Sequence, residues 1–359
     1  MSLPHGGNIY HYAKKYGIPE GDFLDFSASI NPLGPSPRAV KALRDAIPSL
    51  VNYPDPGSGI LTSAITEKFG IPEQSILAGN GSTELIYLIP RALRPRRALL
   101  PVPSFTDYDR ALRLAGCVNT HFPLLEAEGF APDVDRLVKA MSGQDMLFLC
   151  NPNNPTGVLL DRDAVQYILK AAKRSKTFVV LDEAFIEYAP GRSALDFAAT
   201  HRGVAVLRNF TKFYGMPGLR AGWLAAHPDV VKKLAASREP WSVNTLAERA
   251  AAASLADSAY EKKSLALVDA EKEFLFAGLS RIPGISPYPP SVNFVFARLD
   301  YPGADADTLA ESLASKGILI RSCGNFRGLD RRFVRLAVRS RSDNEALLAA
   351  LRPALADTL

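Results

Sequence analysis

Short apolar segments alternate with stretches of helical periodicity through the middle of this chain, and no other feature constrains its fold as strongly. Five apolar runs predict strands, at 98–102, 146–150, 177–181, 204–207 and 222–225. These runs are continuously apolar, which is typical of strands that helices cover on both faces. A segment between them, 161–174, carries the period of an amphipathic helix. The pattern therefore predicts an α/β fold with a largely parallel sheet.

A second, smaller unit is predicted after a long helix at 257–279. It has predicted strands at 293–299, 318–321 and 333–338 and predicted helices at 307–316 and 344–351. Residues before about Pro48 are rich in Gly, Pro and Asn and predict an extended arm with one helix. A chain of 359 residues with 47% hydrophobic residues is long enough for two domains. We predict an arm with part of a small domain at 1–48, a large domain at 49–265 and a small C-terminal domain at 266–359.

The charge balance argues against a nucleic-acid partner. The formal net charge is +5, the pI is near 9.0, and the sequence has no block of five or more like charges. A nucleic-acid-binding surface usually requires a basic patch or stripe. A mildly positive chain instead favours a small anionic substrate.

Cysteine usage and hydropathy predict a cytoplasmic protein without a metal site. Cys117, Cys150 and Cys323 are far apart and form neither a CxxC pair nor a zinc-ligand spacing. We expect free thiols, as in a reducing compartment. The first residues lack the basic and apolar segments of a signal peptide, and no apolar run reaches the roughly 18 residues of a membrane span. We therefore expect no membrane association.

A glycine-containing segment has the composition of an anion cradle. Gly81, Ser82 and Thr83 come directly before a helical pattern at 84–91. Glycine lets the backbone approach an anion closely, and the free N–H groups at the start of a helix bind phosphate. The two hydroxyls add further donors. The same residues also suit an ordinary helix N-cap, so both interpretations stay open at this point.

Asp182 directly follows the predicted strand 177–181. A buried carboxylate is unfavourable without a partner. A protonated pyridine nitrogen is such a partner, and the ion pair would keep the ring cationic, so that the ring can accept electrons from a substrate carbanion. The alternative is a turn residue at the end of a strand.

Lys212 stands in the uncharged loop 211–215, just past the predicted strand 204–207. Nearby positive charge would keep its amine partly uncharged and nucleophilic, as a Schiff-base lysine requires. Arg220, eight residues further on, could supply that charge and bind a phosphate with its planar guanidinium. The order of these features along the chain predicts a pyridoxal phosphate (PLP) site: an anion cradle, a buried acid, a lysine and then an arginine.

Three further residues suit such a site. Asn154 lies in a Pro-flanked turn at 151–157, where its amide could donate to the phenolic oxygen of the cofactor or to a substrate carboxylate. Phe105 could stack on the pyridine ring or could be a core aromatic. Arg335 is a charge inside the apolar segment 333–338, and a substrate carboxylate is its natural partner.

These residues give the chain a family resemblance. From His5 to nearly the C-terminus it resembles the fold-type-I PLP-dependent enzymes, in the branch of the histidinol-phosphate aminotransferases and threonine-phosphate decarboxylases. The resemblance implies a large domain with a mostly parallel seven-stranded sheet, a smaller α+β domain, and a homodimer that shares its active sites. The alternative from another class is a non-catalytic PLP-binding regulator, but such proteins usually carry a DNA-binding domain, for which this chain has no segment to spare.

The resemblance also implies roles for single residues. Lys212 is expected to form the Schiff base and Asp182 to pair with the pyridinium nitrogen. The other cofactor-binding residues are expected to be Gly81, Ser82, Thr83, Phe105, Asn154, Asn209, Thr211, Arg220 and, from the other subunit, Tyr53. Asn209 departs from the family pattern, which has Ser or Thr three residues before the lysine.

Three features favour the decarboxylase side of this branch. His5-Gly6-Gly7-Asn8 is similar to the N-terminal arm of those enzymes. Phe185 stands where aminotransferases of the branch usually have a tyrosine. The segments 320–330 and 335–340 also look like those of the decarboxylases. The expected reaction is decarboxylation of L-threonine O-3-phosphate to (R)-1-amino-2-propanol O-2-phosphate, in cobalamin biosynthesis.

The resemblance assigns substrate-binding residues as well. Arg335 and Asn154 are expected to hold the substrate carboxylate, and Arg321 is expected to bind the substrate phosphate, with lesser contributions from His5, Gly6 and Asn31. The alternative function is histidinol-phosphate aminotransferase, or a related aminotransferase of a phosphorylated amino compound, which shares nearly all of these residues. The two reactions differ in which bond to Cα is broken.

Overall fold

The computed structural model describes residues 5–356 of the chain. Their strands are β1 (Leu24–Asp25), β2 (Ile76–Asn80), β3 (Arg97–Val102), β4 (Val118–Pro123), β5 (Met146–Cys150), β6 (Phe178–Asp182), β7 (Val204–Asn209), β8 (Ala221–Ala226), β9 (Ile285–Pro287), β10 (Phe294–Leu299), β11 (Ile318–Leu319), β12 (Arg321–Ser322) and β13 (Phe333–Ala337). Their α-helices are α1 (Ile9–Tyr16), α2 (Pro37–Ala46), α3 (Gly59–Phe69), α4 (Gly81–Leu93), α5 (Asp107–Leu114), α6 (Val134–Ala140), α7 (Arg162–Ser175), α8 (Leu195–Ala198), α9 (Pro228–Ala235), α10 (Thr245–Leu255), α11 (Ser258–Leu279), α12 (Ala306–Ala314) and α13 (Arg341–Ala356).

Seven strands form the main sheet, in the order β2-β8-β7-β6-β5-β3-β4. The pairs from β7 through β6, β5 and β3 to β4 are parallel, and β8 runs antiparallel to both of its neighbours. Alternate residues of β5 belong to different core clusters, Leu147 and Leu149 to one and Met146 and Phe148 to the other. Apolar residues therefore cover this sheet on both faces, and the predicted α/β fold with a mostly parallel seven-stranded sheet is confirmed.

The topology brings three of the predicted site segments together. In the parallel pairs, Cys150 at the end of β5 lies opposite Asp182, and Asp182 lies opposite Leu207 in β7. Parallel strands end at the same edge of their sheet, where ligands of such folds bind. The loops that carry Asn154 and Lys212 therefore begin beside Asp182.

A four-stranded antiparallel sheet, β12-β13-β10-β9, forms the second unit. Helices α11, α12 and α13 contribute to its core through the fully buried side chains of Leu275, Leu309 and Leu347. Strand β1 pairs in parallel with β11, which ties the N-terminal segment to this C-terminal unit. The domain boundaries at 48 and 265 stay a prediction.

The prediction of one helix before Pro48 is wrong, because α1 and α2 both precede it. The short helix α1 has capping signals at both ends: the side chain of Asn8 accepts from the N–H of His11 at 3.2 Å, and Gly17 adopts the left-handed conformation at a φ of 68°. Its apolar side chains pack against Phe23, Ala314 and Leu319. The helix is thus stabilised by contacts with the C-terminal unit, which local sequence does not reveal.

The other differences from prediction lie at sheet edges. The single strand predicted at 318–321 is two strands, because β11 pairs with β1 whereas β12 joins the four-stranded sheet. Strands β2 and β4 are the two edges of the main sheet and were not predicted. β4 has a largely polar sequence with mostly exposed or half-buried residues, so it lacks the apolar run of the central strands. None of the helices within 5–356 has both the length and the apolar character to cross a membrane.

Candidate active site

A cavity of about 460 Å³ opens beside the carboxyl ends of β5, β6 and β7. Residues from both units and from the N-terminal arm line it. Those predicted from sequence are His5, Gly6, Ser82, Thr83, Phe105, Asn154, Asp182, Asn209, Thr211, Lys212, Arg220, Arg321 and Arg335. Chain segments separated by up to 330 residues thus meet at one site.

The start of α4 and the side chain of Arg220 form one end of this cavity. Gly81 has a φ of +77°, and a Cβ atom built on it would lie 2.6 Å from Nη2 of Arg220. A Cβ atom on Gly222 would lie 2.3 Å from the backbone nitrogen of Ser82. Glycine is therefore required at both positions. A guanidinium lies here beside the positive end of a helix, an arrangement that an anion such as phosphate would stabilise.

Lys212 has an amine that is poised between its charged and neutral forms. Burial, and then the positive charges of Arg335 and Arg220, lower the pKa of this lysine to about 8. Its Nζ lies 5.7 Å from the centre of the Phe185 ring. An amine with this pKa is partly neutral near physiological pH, so it is a usable nucleophile and proton carrier.

Asp182 is a buried carboxylate at the end of β6, with 4% of its surface exposed. Its Oδ2 accepts from the hydroxyl of Tyr108 at 2.6 Å and its Oδ1 from the N–H of Ala184 at 3.0 Å. Burial raises the pKa of this carboxyl group, and the two hydrogen bonds oppose that rise. A cation in the cavity would stabilise the charge of Asp182, as a protonated pyridine nitrogen does.

Arg335 is a buried cation on the opposite wall. It donates from Nη1 to Oδ1 of Asn154 and from Nη2 to the carbonyl oxygen of Ser27 at 3.0 Å. Its Nε has no hydrogen-bond partner among the described residues. Burial lowers the pKa of Arg335 to about 10, so it remains charged at neutral pH. A buried guanidinium with an unpaired N–H suits a carboxylate ligand.

Arg321 separates the cavity from a second, adjoining one of about 680 Å³. It donates from Nη2 to Oδ1 of Asn325 at 2.7 Å, and its guanidinium lies 5.1 Å from the centre of the Phe326 ring. Burial lowers its pKa. Its guanidinium is thus a buried cation at the boundary of the two cavities, a group that suits an anionic ligand.

The N-terminal arm covers the site. The N–H of Gly7 donates to Oγ of Ser27 at 2.7 Å, and a Cβ atom on Gly6 would lie 2.2 Å from the carbonyl oxygen of Ser27. His5 reaches across to the large unit, with Nε2 3.6 Å from Oδ2 of Asp107 and its ring 5.7 Å from that of Phe105. Burial lowers the pKa of His5. The glycines of the arm therefore permit a close approach that any side chain would prevent.

Asn209, which departs from the family pattern, and Phe185, which favours the decarboxylase side of the branch, both lie at the cavity. Oδ1 of Asn209 accepts from the backbone N–H groups of Thr211 at 3.0 Å and Lys212 at 3.2 Å. The asparagine thus fixes the loop that carries the lysine. Phe185 is buried and packs edge-on against Phe294 at 5.2 Å, and it offers no hydroxyl to the cavity.

Two predicted residues are not brought to the cavity. The amide nitrogen of Asn31 lies 2.7 Å from the carbonyl oxygen of Phe213, 3.0 Å from the hydroxyl of Tyr260 and 2.8 Å from that of Ser264, and a role of Asn31 in substrate binding stays a prediction. Tyr53 is 82% exposed, and its ring packs against that of Trp241 at 5.0 Å. A role of Tyr53 at the site of another subunit stays a prediction.

The sequence reasoning missed Tyr108 and Ser27, which both line the cavity. Tyr108 follows Phe105 by three residues: Phe105 directly precedes the N-cap residue of α5 and Tyr108 lies in its first turn, where the two rings meet at 5.5 Å. This spacing was the available signal for Tyr108. Ser27 contacts the site mainly through its carbonyl oxygen and hydroxyl, for which the sequence has no signal.

Comparison with known proteins decides the family. The sequence profile of the family described as aminotransferase class I and II matches residues 21–351. The chain belongs to the aminotransferase class I and II family. PLP is the cofactor of this family. The cavity fits that group, since it combines a glycine cradle for phosphate, a lysine of lowered pKa and a buried carboxylate that lacks a cation.

Two curated relatives of this aminotransferase-family chain carry different activities. The threonine-phosphate decarboxylase of Salmonella typhimurium is 39% identical over 354 residues, 98% of this chain and 96% of the relative. The histidinol-phosphate aminotransferase of Roseiflexus castenholzii is 38% identical over 349 residues, 95% of this chain and 92% of the relative. Identity alone therefore does not distinguish the two activities.

A solved structure of the same family supports the fold. The histidinol-phosphate aminotransferase from Clostridium acetobutylicum superposes with a TM-score of 0.85 at 30% identity. The match covers 93% of this chain and 99% of that one. Both units of this aminotransferase-family chain therefore have counterparts in a solved structure.

Proposed function

We propose that this protein decarboxylates L-threonine O-3-phosphate to (R)-1-amino-2-propanol O-2-phosphate. The observation that carries the proposal is the pair of buried arginines, Arg335 and Arg321, which gives the cavity one binding point for a carboxylate and another for a phosphate. The relative named threonine-phosphate decarboxylase, at 39% identity over nearly the whole chain, supports it. The family resemblance places the product in cobalamin assembly.

PLP would be held by residues from several segments. The phosphate group fits the start of α4, with Ser82, Thr83 and Arg220, and the ring nitrogen fits Asp182. Lys212 would form the covalent bond and Phe105 would pack on the ring. When bound, PLP supplies an electron sink for the electron pair that remains at Cα after CO₂ leaves.

The chain's own residues would bind and orient the substrate. Arg335, beside Asn154, binds the carboxylate and fixes the direction in which CO₂ leaves. Arg321 and the arm residue His5 bind the phosphate group. Binding at this remote group holds the substrate in its reactive orientation, so it contributes to the rate as well as to affinity.

Lys212 and the arm would complete the turnover. With a pKa of about 8, Nζ of Lys212 can both hold and release a proton near neutral pH, so it is suited to return a proton to Cα. His5 and Gly6 line the cavity, and with substrate bound they would keep water from it. Exclusion of water strengthens the electrostatic interactions of both arginines.

A second candidate function is transamination of histidinol phosphate or a related phosphorylated amine. The relative of that name at 38% identity favours it. Phe185 argues against it, because an aromatic ring without a hydroxyl occupies the position where the family resemblance expects a tyrosine in aminotransferases. The substrate-binding residues described above would serve both reactions.

The proposal includes a homodimer and a cytoplasmic location. Ile47, Leu50, Val51, Tyr53 and Trp241 are large apolar side chains that are exposed in the single chain. Exposed apolar side chains in this number suit a contact with a second copy. The free thiols of the three cysteines suit a reducing compartment.

The decisive experiment uses purified protein, PLP and L-threonine O-3-phosphate, without any 2-oxo acid. Mass spectrometry follows the product over many turnovers. We expect each substrate molecule to lose one CO₂. The variant Lys212→Ala is the matched control, and it should form no product. If the substrate persists while PLP is converted to its amine form, the transaminase alternative holds and histidinol phosphate is the compound to test.

A further inference from the structure

A buried hydrogen bond joins Tyr108 to Asp182 at the wall of the cavity. The Tyr108 hydroxyl donates to Oδ2 of Asp182 at 2.6 Å, while the N–H of Ala184 donates to Oδ1 at 3.0 Å. Tyr108 is 1% exposed and Asp182 4% exposed. Each carboxylate oxygen thus has its own donor, and rotation of the carboxylate would break both hydrogen bonds.

Aromatic contacts fix the ring of Tyr108. It stacks on Phe148 of β5 with ring centres 4.9 Å apart and meets Phe105 edge-on at 5.5 Å. Phe105 is the residue proposed to pack on the cofactor ring. Tyr108 therefore connects the residue expected at the face of that ring with the residue expected at its nitrogen.

Burial works against the charge of Asp182. Desolvation, and to a smaller extent the charge of Glu183, raise the pKa of its carboxyl group, whereas the hydrogen bonds from Tyr108 and Ala184 and the charge of Lys212 lower it. Burial, and then the charge of Asp182, raise the pKa of Tyr108 well above its ordinary value. The phenol consequently keeps its proton at neutral pH and remains a hydrogen-bond donor.

A proton shared between a buried carboxylate and a pyridine nitrogen can reside on either group. A site of low polarity favours the neutral pair, with the proton on the carboxylate. A donor on the carboxylate favours the ionic pair, with the proton on the nitrogen. The side that prevails decides whether the ring is an effective electron sink.

We propose that Tyr108 is a positioning residue that keeps Asp182 ionised and fixed in orientation, so that the shared proton stays on the ring nitrogen of bound PLP. The proposal rests on PLP as the cofactor but not on which reaction the protein catalyses. Without the hydroxyl, the equilibrium should shift toward the neutral pair by about ten- to a hundredfold, the effect expected of a hydrogen bond to a charged group.

The test compares Tyr108→Phe with wild type after both are loaded with PLP carrying ¹⁵N in the ring, in the absence of substrate. The ¹⁵N chemical shift reports whether the nitrogen is protonated. The matched control is Tyr288→Phe, which removes a phenol that donates to Glu126 at 2.7 Å away from the cavity. We expect the protonated shift in wild type and Tyr288→Phe, and a move toward the unprotonated value in Tyr108→Phe.

Two further measurements keep the proposal open to contradiction. Equilibrium dialysis of the cofactor-free proteins should show about tenfold weaker PLP binding by Tyr108→Phe. If Tyr108→Phe does not fold, 4-aminophenylalanine at position 108 keeps the ring and a polar group but donates more weakly, and the ¹⁵N shift should move in the same direction by less. An unchanged ¹⁵N shift in a folded variant overturns the proposal. Because no substrate is present, that outcome leaves the proposed reaction untouched.

Discussion

Lys212 and Arg335 are two like charges that share one cavity. Burial lowers the pKa of the lysine to about 8 and that of the arginine to about 10, and the arginine also lowers the lysine's pKa directly. At neutral pH a larger fraction of the lysine than of the arginine becomes uncharged, because the ordinary pKa of lysine, about 10.4, is closer to neutrality than that of arginine. At the scale of the residue, the same arginine thus serves as a proposed substrate ligand and as a means of activating the lysine.

This coupling predicts the pH dependence of cofactor attachment. The neutral amine of Lys212 is the nucleophile, so its fraction should rise about tenfold per pH unit below pH 8 and level off above it. Arg335→Met should move the midpoint to higher pH, because a positive charge that disfavours the protonated amine is removed. The measurement adds PLP to the cofactor-free protein, treats samples with borohydride at successive times, and follows the rate at which PLP becomes permanently attached.

The control for this measurement is Arg332→Met. Arg332 is an exposed arginine of the same unit, and it pairs with Asp330 at the surface at 2.7 Å. Its loss should leave the midpoint where wild type has it. Equal midpoints for Arg335→Met and wild type would mean that Arg335 does not lower the pKa of Lys212, which would leave burial and Arg220 as the causes.

At the scale of the element, helix α1 holds the arm over the cavity. Glu311 of α12 accepts hydrogen bonds from Lys15 and Tyr16 at the end of α1. Lys15 and Glu311 are both partly exposed, so solvent screens their ion pair and it contributes little to stability. The arm residue His5 precedes this helix, and its position over the site depends on how firmly α1 is docked.

Glu311→Ala should therefore loosen the arm without unfolding the protein. We expect faster hydrogen–deuterium exchange in residues 5–16 and a KM for the phosphorylated substrate raised up to about fivefold, the equivalent of about 1 kcal/mol. The thermal midpoint should change little. Asp45→Ala is the control, because it removes the exposed ion pair of Lys41 on α2. Unchanged exchange in the arm would show that apolar contacts alone dock α1.

At the scale of the whole molecule, the single chain leaves Tyr53, a predicted cofactor ligand, outside its own cavity. Tyr53 is exposed beside Trp241 rather than directed into the site. The proposed homodimer would let Tyr53 of one subunit reach the cofactor phosphate of the other. In such a shared site, a subunit that lacks Tyr53 and a subunit that lacks Lys212 can together form one intact site, which a monomer cannot do.

Mixing two inactive variants tests this arrangement. Tyr53→Ala and Lys212→Ala should each be strongly impaired alone. In a hybrid dimer, one site receives an intact lysine from the first subunit and an intact tyrosine from the second. After unfolding and refolding together, the mixture should regain roughly a quarter of wild-type activity, as random pairing of two subunits predicts. Activity no greater than the average of the two variants would exclude a site shared in this way.

Much of the site follows from sequence because of one topological rule. Asp182 and the segments that carry Asn154 and Lys212 each follow a predicted strand, and parallel strands end at one edge of their sheet. Whether Asn31 binds substrate stays a prediction, because the partners of an amide are decided by what surrounds it. Here its partners are Phe213, Tyr260 and Ser264, residues more than 180 positions away in the chain.

The sequence by itself determined the α/β class and the position of the central strands along the chain, because these depend on local apolar runs. Only the tertiary structure decided the docking of α1, the division of 318–321 between two sheets and the hydrogen bond from Tyr108 to Asp182. These features depend on contacts between distant segments, and burial in the folded chain sets their energy. The pKa of Lys212 belongs with them, since it arises from burial and from charges that only folding brings near.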